Sequence, residues 1–161
     1  MNLLQAQIQY DERIVQGLPA FGHLSLLGDS SVRLPLRYGV HTLGTSKQAD
    51  LSVPRLLHNG RCYISRGHCT LTVAFDRWTG QLRYQLQDGA IDPDTGERRP
   101  SMNGTLIDKI ALKPGEIMEI PNGGQVILGG MDVFQLTHYP IDPAMLATYE
   151  MSLGYNPEQT E

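Results

Sequence analysis

The stretch HCTLTVAFDRWTGQLRYQLQ, residues 68 to 87, decides the architecture. In its first half Cys69, Leu71, Val73 and Phe75 fall on one side, and in its second half Leu82, Tyr84 and Leu86 do the same. A repeat of two is the signature of a strand with one face on a core and the other in water. DRWTG between the halves reads as a hairpin turn, with Trp78 beside it as a packing residue. Moving outward, HLSLL (23–27), VRLPL (32–36) and VHTLG (40–44) precede this pair. GTLID, EIMEI, QVILG and DVFQL carry the same rhythm on to residue 136. No long helical period interrupts them, and Gly, Pro, Asn and Asp separate them. About ten short strands at this spacing predict a β-sandwich or barrel.

Three segments break the rhythm and read as loops: PRLLHNGRCY (54–63), DGAIDPDTGERRPSMNG (88–104) and the tight turn PNGG (121–124). Arg98 and Arg99, in the second, are expected to face solvent in a mobile loop. The regular pattern predicts a body over 20–139, an N-terminal extension over 1–19 and an acidic C-terminal tail over 140–161. Within that tail PAMLATYEMSL (143–153) predicts a short helix, with Asp142 as N-cap and Pro143 at its first position.

Charge placement narrows the function. The net charge is −4, and Asp142, Glu150, Glu158 and Glu161 supply all of that excess from a tail without lysine or arginine. The rest is balanced, which argues against a nucleic acid reader, since such proteins show a basic excess. No apolar run approaches the roughly 20 residues of a membrane span, and the N-terminus lacks a secretory pattern. Cys62 and Cys69 are too few for a disulfide framework or a cysteine-rich zinc site, and point to a reduced, cytoplasmic setting.

The octet ISRGHCTL (64–71) sets Ser65 and His68 three apart beside Arg66. A nucleophile–base pair would need a G-x-S-x-G elbow on an α/β scaffold and an orienting carboxylate, and the sequence offers neither. The five histidines are scattered without metal-ligand spacing. The expectation is a protein that is not an enzyme and takes no metal or cofactor.

Four features follow in order: VHTLGTSKQADLSV (40–53), ISRGHCTL (64–71), SMNGTLID (101–108) and LKPGEIMEIPNGGQVILGG (112–130). On an all-β background this order resembles the forkhead-associated (FHA) domain, over roughly residues 20 to 138. The resemblance implies a sandwich of two antiparallel or mixed sheets with about eleven strands and ligand loops gathered at one end. It implies a phosphothreonine-binding interaction module, for signalling or complex assembly, that catalyses nothing. Its partner would be a kinase substrate phosphorylated on threonine, either another protein or a second copy of this chain, which allows self-association. By the same resemblance Ser65 donates its hydroxyl to the phosphate, Arg66 adds charge or braces the loop, and Asn103 grips the peptide backbone. His68 holds the binding loops through its ring, while Gly44, Gly104 and Thr105 shape the turns.

The departures are informative. Where the family places a phosphate-contacting arginine after its first-loop glycine, this chain has Thr45. Ser46 and Lys47 follow and are expected, with Thr45, to stand in for it. Lysine lacks the planar fork of arginine, and one lost charge-assisted hydrogen bond costs about 1.5–3 kcal/mol, or roughly ten- to a hundredfold in affinity. Lys47, Arg61, Arg98 or Arg99 would have to restore the charge. Gly67 occupies a position where many members carry a basic or polar side chain. Asp108-Lys109 replaces a common asparagine-glycine turn. The alternative reading is therefore a degenerate FHA domain that binds its partner without phosphate.

Overall fold

The computed structural model describes residues 20–76 and 81–140. The N-terminal extension, the tail beyond Pro140 with the helix expected at 143–153, Trp78 and the side chain of Phe75 lie outside the described residues. Among the described residues fifteen strands occur in chain order. They are β1 (Ala20–Leu26), β2 (Asp29–Arg37), β3 (Gly39–Gly44), β4 (Leu51–Ser52), β5 (Leu57–His58), β6 (Arg61–Cys62), β7 (Cys69–Asp76) and β8 (Gln81–Asp88). The others are β9 (Ala90–Ile91), β10 (Arg98–Arg99), β11 (Thr105–Ile107), β12 (Ile110–Ala111), β13 (Ile117–Glu119), β14 (Gln125–Leu128) and β15 (Asp132–His138).

Eleven of these build two sheets, ordered β12-β11-β14-β15-β1-β2 and β13-β8-β7-β3-β4. Neighbours run antiparallel except β3 and β4, which are parallel. The alternation sends Leu43, Cys69, Leu71, Val73, Tyr84 and Leu86 inward from the five-stranded sheet. Leu24, Leu36, Val126, Leu128, Phe134 and Leu136 meet them from the six-stranded sheet. Each large apolar side chain so removed from water contributes about 1.5–3 kcal/mol. The expected all-β sandwich is what forms. Among the described residues no helix is long and apolar enough to cross a membrane.

Two of the three segments read as loops contain strands. Within 54–63, β5 and β6 pair across Asn59-Gly60, whose φ angles of 53° and 78° are the left-handed pair a type I′ turn requires. Within 88–104, β9 and β10 pair Arg98 with Ile91 and Arg99 with Ala90. Arg98 and Arg99 are exposed as expected, but they sit in a paired ribbon rather than a loop. Asp92 closes its far end: its N–H donates to Glu97 O and its carboxylate accepts from Asp94 N, each at 2.8 Å.

Strand register explains why the loops converge. Leu43 pairs with Cys69, and Cys69 pairs with Asp88. The end of β3, the start of β7 and the end of β8 are therefore level at one edge of the five-stranded sheet. The Thr105 hydroxyl donates to Asp88 Oδ1 at 2.6 Å, which draws the start of β11 to the same edge.

Candidate functional site

The site is built from three backbone segments that follow β3, precede β7 and precede β11. The first, 45–50, lies against the second through main-chain bonds: Thr45 N to Ser65 O (3.2 Å), Ser46 N to Arg66 O (3.1 Å) and His68 N to Leu43 O (2.8 Å). A Cβ on Gly44 would collide with the carbonyl oxygen of Arg66, so only glycine allows this approach. Ser46 is occupied in holding its own loop. Its Oγ accepts from Gln48 N at 3.2 Å and its carbonyl accepts from the Ser52 hydroxyl at 2.9 Å.

His68 joins the second segment to the third. Its ring is fully buried. Nδ1 accepts from Ser65 N at 2.9 Å, and because an amide can only donate, Nδ1 carries the lone pair. Nε2 therefore carries the hydrogen and donates to Gly104 O at 2.8 Å. Burial pushes the imidazole below its ordinary value, opposed by the bond to Gly104 and by the charges of Asp88 and Asp132. The ring stays neutral with both nitrogens committed. Neither is left to take a proton from the Ser65 hydroxyl, so the pair is not a nucleophile with its base.

The third segment, 101–104, hangs on Asp88. Its Oδ2 accepts from Ser101 N (3.1 Å), and its Oδ1 from the hydroxyls of Ser101 and Thr105 (both 2.6 Å). Ser101 Oγ in turn accepts from Gly104 N at 2.9 Å. Gly104 has φ +87°, a region in which other residues are strained. Asp88 was not among the residues singled out from the sequence. A carboxylate at a strand end upstream of a serine-containing turn is the signal that marks it. Thr105 is buried.

The candidate ligand residues flank this frame. Ser65 Oγ accepts from Met102 N at 3.1 Å, and Asn103 Nδ2 donates to Tyr63 O at 3.1 Å. Both side chains thus link the second and third segments, and the Asn103 carbonyl oxygen is left free to accept. Arg66 is exposed beside Ser65. Lys47 is exposed at the tip of the first segment. Asp108, with φ 53°, bonds Gln125 N at 3.0 Å, at the far end of β11 from the site.

Side-chain hydrogen bonds and one ion pair anchor the two ribbons. His58 Nε2 donates to Asp132 Oδ1 at 2.8 Å, and Asp132 is buried. Arg98 Nη1 donates to Gly89 O (3.0 Å) and Thr70 Oγ1 (3.1 Å). Arg99 Nε pairs with Asp92 Oδ2 at 2.9 Å. Burial drives the Cys69 thiol far above its ordinary value, so it stays protonated in the core. No group of three metal-ligating side chains occurs among the described residues.

Solved structures similar to this one include FHA domains. The MEK1 FHA domain, determined with a HOP1 phosphothreonine peptide, superposes with a TM-score of 0.54 at 15% identity, covering 75% of this chain and 99% of that one. The FHA domain of an Arabidopsis thaliana hypothetical protein gives 0.54 at 18% identity over 76% and 89% of the two chains. The Slr1951 protein from Synechocystis gives 0.53 at 23% identity over 74% and 99%. No protein-family model and no curated protein matches the chain. The fold is an FHA-like β-sandwich.

Proposed function

We propose that this protein is a non-enzymatic module that binds phosphothreonine-containing segments of partner proteins. The observation that supports it most is the arrangement around His68. One buried neutral ring links the segment bearing Ser65 and Arg66 to the segment bearing Asn103. A hydroxyl, a guanidinium and an amide thereby come to one end of a rigid sandwich. A phosphothreonine offers close to two negative charges and three acceptor oxygens, which suits such donors. Ser65 and Arg66 would take the phosphate, and Asn103 would take the peptide backbone through its free carbonyl oxygen. The HOP1 phosphothreonine peptide held by the MEK1 FHA domain lends the reading support from a similar fold.

Thr45, an uncharged residue at the first-loop position, favours the second reading, a domain of this fold that binds without phosphate. Calorimetric titration with a degenerate phosphothreonine peptide pool and its unphosphorylated counterpart separates the two. Binding of the phosphorylated pool alone, weakened by salt and by Ser65→Ala or Asn103→Ala in folded protein, is the expected result. Equal binding of both pools, or of neither, overturns the phosphate reading.

A further inference from the structure

An open groove of about 680 Å³ runs beside the three-segment frame. Ser46, Arg66 and Gly67 line it on one side, and Ala90, Asp92 and Arg99 from the β9–β10 ribbon line it on the other. We propose that Arg99 supplies the guanidinium that the first segment lacks, so that the inserted ribbon, and not the 45–50 segment, completes the phosphate charge. This rests on the phosphothreonine reading above.

The argument begins with Gly67. A Cβ at that position would stand 3.0 Å from the Cβ of Ala90, so the ribbon packs closely on the second segment where Gly67 has no side chain, and a larger residue there would push it back. Ala90 is the strand partner of Arg99. The position where the second segment carries no side chain is thus covered by the strand pair that bears Arg99, next to Arg66.

The other cations are placed differently. Arg98 spends a terminal nitrogen on Gly89 O and Thr70 Oγ1. Arg61 belongs to the β5–β6 ribbon, and neither Arg61 nor Lys47 lines the groove. Arg99 pairs with Asp92 through its Nε, and among the described residues its terminal nitrogens make no hydrogen bond. A guanidinium has five N–H donors in a planar fork, so the edge formed by the two terminal nitrogens can still take two phosphate oxygens. Asp92 then acts as a brace that holds the fork in place. The carboxylate is itself fixed by its bond from Asp94 N, so the brace does not depend on a free side chain. Asp94 also lines the groove, but it is exposed, and its field is screened by salt.

The test compares wild type with Arg99→Ala, Arg99→Lys and Arg61→Ala, titrated with the phosphorylated and unphosphorylated peptide pools at two salt concentrations. Arg99→Ala should weaken binding of the phosphorylated pool by about tenfold or more and flatten its salt dependence. Arg99→Lys, which keeps a charge but loses the fork, should fall between, and Arg61→Ala should bind as wild type does. If wild type prefers the phosphorylated pool and Arg99→Ala binds it equally well, the assignment of Arg99 is overturned while the phosphothreonine reading stands. Equal loss in Arg99→Ala and Arg61→Ala overturns it too, because the effect is then one of overall charge. If wild type shows no phosphate preference, the underlying reading fails and this inference with it.

Discussion

The two ribbons β5–β6 and β9–β10 have strands of equal length and are held in unlike ways. The first is pinned near its turn by a single hydrogen bond from His58 to the buried Asp132, and at its exit by Tyr63, whose carbonyl takes the Asn103 amide. The second is pinned at its root. Arg98 reaches back to Gly89 O and Thr70, and Gly89 (φ +85°) packs so closely on Arg99 that a Cβ there would meet its carbonyl. One insertion thus braces the Asn103 side of the site, and the other builds a wall on the Arg66 side. The difference teaches that two irregular segments can serve one site through unrelated contacts, provided both meet the frame around His68 and Asp88.

Removing the shared frame should erase the distinction. His68→Ala strands Ser65 N–H and Gly104 C=O and opens a cavity where the ring is now buried. A loss of about 3 kcal/mol of stability is expected in denaturant unfolding. A change under about 0.5 kcal/mol would show that the ring is not the joint between the segments. Asp88→Asn keeps one acceptor oxygen but sets an amide NH2 where the other now accepts, so at least one of the three donors loses its partner, and it should cost about 2 kcal/mol. Amide exchange should then quicken at residues 101–105 while the β5–β6 ribbon keeps its protection.

The comparison itself is sharpened by a crossed pair of variants. His58→Ala leaves the buried Asp132 carboxylate without a side-chain partner, and should cost about 2 kcal/mol and speed exchange at β5 and β6 only. Arg98→Ala should cost about 1 kcal/mol and act on β9 and β10 only. If each variant loosened both ribbons, the two anchors would not be independent.

The smallest effect is that of pH. Burial lowers the imidazoles of His68 and His138, and burial together with the Arg33 charge lowers that of His23. Protons therefore bind the unfolded chain first. Stability should be complete above about pH 6.5, fall as the pH drops through that value, and level off below the folded-state values. A nuclear magnetic resonance titration that placed the His68 imidazole above about 6.5 would contradict this sign.

Much of the fold is legible in the chain. Cys69, Leu71 and Val73 alternate with polar residues over a strand long enough to show a period of two, as do Tyr84 and Leu86. β5, β6, β9 and β10 have two residues each, too few to show any period. Only Asn59-Gly60 marked the first ribbon, and that dipeptide lay inside a segment read as a loop. Among the candidate site residues, Ser65, Arg66, His68, Asn103, Gly104 and Thr105 lie in the order of short motifs. Asp88 and Arg99 do not, because their positions follow from contacts across the chain. Asp88 meets Ser101 only because the whole β9–β10 ribbon loops out between them.

The sequence by itself determined the short strands and the all-β class, since burial of an alternating face needs only local residues and a period, and its motifs carried the resemblance that implied a sandwich. It also determined the order of the segments, and the chemistry that each could carry. The tertiary structure decided which groups meet: His68 with Gly104, Asp88 with Ser101 and Thr105, and Ala90 with Gly67. Those pairings depend on strand register, and register is a property of partners far apart in the chain, so no stretch of residues states it alone.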